Sequence, residues 1–124
     1  MSWFRRPRSS AHPAAEAPLF AIGLNVKAGT EPLPDSAAGA YVTVFCSAPD
    51  ATTAAWTCIQ AVEAMGYSVP DNPQKADMMQ AGDWEAFVNG QWPELVSQLP
   101  TQSEVYERLA EHRVIFGPFA AYEG

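Results

Sequence analysis

The sequence predicts a small α+β protein with a largely antiparallel sheet covered on one face by helices. Three observations carry this expectation. A strand runs directly into a capped helix across Tyr41 to Gly66, an alternating strand precedes it near 19–28, and a capping box at Thr101 opens a further helix ahead of a final strand.

The segment YVTVFCS, near 40–47, alternates strictly: Val42, Val44 and Cys46 share one face, and Tyr41, Thr43, Phe45 and Ser47 share the other. Pro49 ends the strand because it has no N–H to donate, and Asp50 stands where an N-cap belongs. A helix near 50–65 follows, with Ala51, Ala55, Cys58, Ile59, Val62 and Met65 on one apolar stripe and Gly66 placed to close it. Trp56 does not join that stripe; its helical neighbours are Thr52, Gln60 and Glu63. Two readings of Trp56 stand side by side: another segment covers the indole, or the ring is an exposed anchor for a partner.

The remaining elements follow from the same periodicities. Near 19–28, Phe20, Ile22, Leu24 and Val26 form a core-facing set, with antiparallel pairing to 40–47 across the polar connection 29–39. Tyr67 to Val69 reads as a weak strand closed by Pro70, and residues 74–82 fit strand or helix equally. Asp83 can cap a short helix bearing Trp84, Phe87 and Val88, and Pro93 suits the first turn of another reaching Leu99. This aromatic-rich stretch is expected over one side of the sheet or over the helix, where it would cover Trp56. Thr101 and Glu104 match a capping box for a helix near 101–112, with Val105 and Leu109 inward and Glu104, Glu107 and Glu111 outward. Arg108 is spaced to pair with Glu104. The last strand spans 113–122, and Pro118 confines its second half to an edge. A ferredoxin-like sandwich is one topology compatible with this order.

Residues 1–17 lack periodicity and are expected to be a disordered basic tail, leaving 18–124 as one domain. Within 1–18, Arg5, Arg6 and Arg8 stand against Glu16, a net of +2; the rest sets four basic residues against thirteen acids, a net of −9. An acidic body repels the phosphate backbone, so nucleic-acid binding is not expected, while a basic protein partner is permitted. No apolar run approaches the ~18 residues of a membrane span. With no signal-peptide pattern in the opening residues, a cytoplasmic location is expected.

Little in the sequence carries chemistry. Cys46 and Cys58 have neither zinc-type nor redox-motif spacing, and read as buried thiols whose sulfurs approach if strand and helix faces pack together. A Cys46–His112 nucleophile pair lacks any local signature, and Asp50 would oppose a thiolate there. No catalytic residue, metal site or cofactor is expected: there is no EF-hand loop, phosphate-binding glycine pattern or G-x-S-x-G elbow.

The sequence thus points away from an enzyme and towards a protein-binding module. Trp56, Trp92, Glu104, Glu107 and Glu111 are its candidate partner-binding residues, for a basic partner. An inhibitor or toxin-neutralising, immunity-type protein is the class such a surface would suit. Two alternatives are a small-molecule binder or small enzyme, with a pocket between the sheet and 67–100 using Tyr41, Cys46 or His112, and a structural subunit of a homo-oligomer.

Overall fold

The computed structural model describes residues 14–30, 32–33 and 37–122. Four strands form one antiparallel sheet: β1 (Pro18–Val26), β2 (Gly39–Cys46), β3 (Lys75–Gln80) and β4 (Ile115–Tyr122), in the order β3-β1-β2-β4. Three helices complete the fold: α1 (Ala51–Ala64), α2 (Trp84–Gln91) and α3 (Gln102–Ala110). The α+β class is the one the sequence predicts. Because β2 and β3 are each antiparallel to β1, they run parallel to one another, and β2-α1-β3 is a crossover that spans the intervening strand.

β1 and β2 pair as expected, with Phe20 opposite Cys46 and Leu24 opposite Val42. Ile22, Leu24, Val26, Val42, Val44 and Cys46 are buried beneath Ala54, Cys58 and Val62 of α1. The helix turns its Ala54 line inward and leaves Ala51 and Met65, at its two ends, exposed. The small Ala54 side chain lets the helix backbone approach β2, bringing Ala54 O within 3.6 Å of Cys46 Sγ. Asp50 caps α1: its carboxylate accepts from Thr53 N at 2.8 Å, which holds its pKa below the ordinary carboxylate range. Gly66 follows the helix with φ 96°.

The helices do not share one face, as the sequence suggested. Leu19, Ala21, Phe45 and Ile115 point away from α1 and are buried under Trp84, Val88 and Val105 of α2 and α3. The sheet is therefore a middle layer, with α1 on one side and α2 with α3 on the other. This departs from a ferredoxin-like arrangement in both strand order and helix placement. The physical reason is that β1 and β2 carry apolar side chains on both faces at one end, so both faces must be covered there.

Three segments differ from the sequence expectation. Residues 67–69 form no strand; a single bridge joins Lys27 and Ser68, and Tyr67 and Val69 pack against the α1 side. The third strand is Lys75–Gln80, whose residues are almost all exposed. The short helix expected from Pro93 is a turn followed by a 3₁₀ turn at Val96–Gln98. Residues 14–17 form a turn held by Ala81 N to Ala17 O and Gly82 N to Ala15 O, at 2.8 and 2.7 Å. The remainder of the expected tail, residues 1–13, lies outside the described residues.

Phe45 joins the layers. It is fully buried and meets the rings of Trp84, Phe87 and Trp92 edge-on, with centroids 4.9, 5.8 and 6.3 Å away. Truncation to Phe45→Ala should lower stability by about 3–5 kcal/mol. Chemical denaturation measures this, and a loss under about 1 kcal/mol would show that α2 holds to the sheet without the ring.

Candidate functional site

α2 and α3 cover only part of their face. Beyond Phe45 the sheet is open, and Gly23, Tyr41, Thr43, Gln74, Lys75, Trp92, Pro118 and Ala120 line a shallow cavity of about 270 Å³. Strand alternation places Gly23, Tyr41, Thr43 and Lys75 on this side, in line with the buried Ala21 and Phe45. Trp92 stands at the boundary. It is half-buried, packs edge-on against Phe45 and Phe87, and borders the cavity. β4 bulges here, with Gly117 and Pro118 opposite the single residue Thr43.

The far end of this face is ordered by Tyr122. Its ring lies 5.0 Å from that of Tyr41, and the Lys27 ammonium sits 5.1 Å above it. Its hydroxyl donates to Asn25 Oδ1 at 2.6 Å, and Asn25 Nδ2 donates to Asp71 Oδ2 at 3.0 Å. Tyr122 belongs to β4 and Asn25 to β1, so the side chain must pass over β2 between them. It does so at Gly39, its cross-strand partner, where a Cβ would fall on the Tyr122 hydroxyl and ring. Gly39 is needed for what lies above it rather than for its own backbone angles.

Of the residues the sequence suggested for a pocket between the sheet and 67–100, Tyr41 lines this cavity. The other two residues named for it lie elsewhere. Cys46 is buried on the α1 side, and His112 is exposed beyond α3, in a left-handed conformation with φ 58°. The layers separate Cys46 from His112, so they form no nucleophile–base pair. The cavity lining offers the Tyr41 and Thr43 hydroxyls and the Lys75 ammonium, itself 3.3 Å from Asp77. Pockets for drug-sized ligands start at roughly 300 Å³, so this one has room for a single-ring compound. Among the described residues, no three His, Cys, Asp or Glu side chains group to hold a metal ion.

The partner-binding candidates fall on two surfaces. Trp56 is 62% exposed on α1; of the two places expected for the segment 82–100, over the sheet or over the helix, it takes the first, on the sheet face opposite α1, and does not cover the indole. Glu104, Glu107 and Glu111 are exposed on or beside α3, in the layer that contains Trp92. Glu104 is held locally: its Oε1 accepts from Thr101 N at 2.8 Å, completing the capping box. That engagement turns it from Arg108; the ion pairs among the described residues are Lys75–Asp77 and Arg113–Glu111. The acidic surface and the exposed indole are therefore separate features.

Gly39→Ala should push the Tyr122 ring off β2 and cost about 1 kcal/mol through loss of its bond to Asn25. Tyr122→Phe removes the same bond, so the double variant should be no less stable than Gly39→Ala alone. Thermal melts of the three variants check this, and simple additivity would mean that the ring tolerates the added methyl.

Comparison with protein-family models, with curated proteins and with solved structures finds no match to this chain.

Proposed function

We propose that this chain is a non-enzymatic protein-binding module that docks a basic partner, with Trp56 as its apolar anchor. The exposure of that indole near the middle of α1 is the observation that supports the reading. Leaving a large apolar side chain in water forgoes roughly 1.5–3 kcal/mol of burial, and Trp is enriched among the residues that dominate interfaces. Thr52, Thr53 and Gln60 are also exposed on α1, and Glu63 is its single charged residue. A partner can therefore approach the ring closely while meeting one α1 carboxylate, that of Glu63.

Net charge acts at longer range. The chain carries −7, and the exposed Asp83, Glu85, Glu94, Glu104, Glu107 and Glu111 concentrate carboxylates on the α2–α3 side. A field of this sign speeds encounter with a basic protein while contributing less to final affinity. An inhibitor or toxin-neutralising role suits that combination. The reading includes a cytoplasmic location, which the free, buried Cys46 and Cys58 support. Among the described residues, no helix is long and apolar enough to cross a membrane.

Binding to a captured basic partner should weaken roughly tenfold or more in Trp56→Ala, and should weaken further as salt is raised. Folding stability of the same variant should stay within about 0.5 kcal/mol of the parent. Titration calorimetry at two ionic strengths reads both effects, and an affinity indifferent to the substitution would reject the anchor.

The cavity beside Trp92 supports a second reading, a binder of small single-ring compounds. Phenol is a suitable probe. Millimolar phenol should shift the backbone amide resonances of Gly23, Tyr41 and Thr43 while leaving α1 unchanged, and no shift at those three residues would end this alternative.

A further inference from the structure

We propose that Cys46 and Cys58 form a buried oxidisable pair that closes to a disulfide and staples α1 to β2. The inference does not rest on the binding role above. Both residues are buried, at 3% and 0% exposure, in the core cluster between helix and sheet. Each sulfur is directed at the other's element. Cys46 Sγ, on the last residue of β2, reaches Ala54 O in α1 at 3.6 Å; Cys58 Sγ, in α1, reaches Val44 O in β2 at 3.6 Å. Ala54 stands one helical turn before Cys58, and Val44 two residues before Cys46, so each thiol lies beside the backbone that carries its counterpart. The two thiols are also close enough for each to perturb the other's ionisation.

That contact distinguishes the thiols chemically. The Cys58 thiol bonded to it lowers the Cys46 pKa, with burial opposing the shift. The same bond raises Cys58, and burial adds to it. Cys46, 3% exposed and next to the exposed Ser47, is the first nucleophile, and the fully buried Cys58 is the resolving thiol. The route to Cys46 is the turn that follows β2, where Ser47, Pro49 and Asp50 are exposed, and hydrogen peroxide would enter there by local opening.

The oxidant is a hydroperoxide. Cys46 thiolate attacks the terminal peroxide oxygen, an S–O bond forms, the O–O bond breaks and hydroxide leaves to be protonated to water. Cys58 then gives up its proton and attacks the Cys46 sulfur; the S–S bond forms, the S–O bond breaks, and a second water departs. Two thiols and one hydrogen peroxide become one disulfide and two waters, the sulfurs losing two electrons in all.

The test exposes the folded full chain to hydrogen peroxide, then denatures it in an alkylating agent and digests it with trypsin. Lys27 and Lys75 bound a peptide, residues 28–75, that holds both cysteines and Met65 and no other basic residue. It should lose about 2 Da and take up no alkyl group, apart from separate sulfoxide at Met65. Prior reduction should restore two alkylations, and far-UV circular dichroism of the oxidised chain should remain native. In Cys58→Ser, Cys46 should stop at a sulfenic acid that a cyclic diketone traps. The proposal is overturned if peroxide leaves both thiols alkylatable. It is equally overturned if the sulfurs oxidise separately, if the disulfide joins two chains, or if closure unfolds the protein.

Discussion

Phe45 points away from α1 and is nonetheless fully buried. That single constraint sets the number of layers. A lone antiparallel sheet can leave one face to water, but here Leu19, Ala21 and Ile115 join Phe45 on the face that α1 does not reach. Their burial needs a second cover, and the aromatic-rich stretch after β3 provides it. Trp84 and Trp92 close on Phe45, while Trp84 Nε1 donates to Pro100 O at 2.8 Å. Gln102 then ties the start of α3 to the start of α2, donating to Ala81 O and accepting from Glu85 N. The weakly regular region becomes a layer because the sheet demands one.

The cover is incomplete, and the exposed candidate features follow from where it ends. α2 and α3 reach Phe45 but stop short of Tyr41, so the second face passes from a sealed core into an open floor. Trp92 marks the transition, half in the aromatic cluster and half in the cavity wall. On the other side α1 seals its strands with Ala54, Cys58 and Val62, which leaves the opposite flank of the helix, and Trp56 with it, in solvent. Charge divides along the same layers: carboxylates gather on α2–α3, and α1 presents a nearly uncharged surface around one indole. The acidic surface and the exposed indole thus lie on different sides of the sheet.

The sheet edges show a related economy. β3 and β4 are both edge strands. β3 carries Lys75 and Asp77, and β4 carries Pro118 at a bulge, features that discourage a further strand from pairing. Both strands tolerate irregularity because each has a neighbour on one side only. Between them β1 and β2 hold strict register over most of their length, since a one-residue slip would exchange the α1 core for the Phe45 core.

Local chemistry was legible in the sequence. Asp50, Gly66 and the Thr101–Glu104 box mark helix ends because a cap is made by residues within four positions of one another. The alternation of 19–26 and 41–46 is likewise written in neighbouring residues, and it told which side chains share a face. Alternation is silent about what covers each face, so it sets α3 beside α1 and leaves 82–100 free to lie over the sheet or over α1. β3 stays ambiguous between strand and helix because an exposed edge strand needs no apolar period. The convergence of Tyr41 with Trp92, the passage of Tyr122 over Gly39 and the facing of Cys46 towards Cys58 join residues far apart in the chain. Only the packing of layers decided those meetings, since strand order and helix placement are set by burial summed over the whole core.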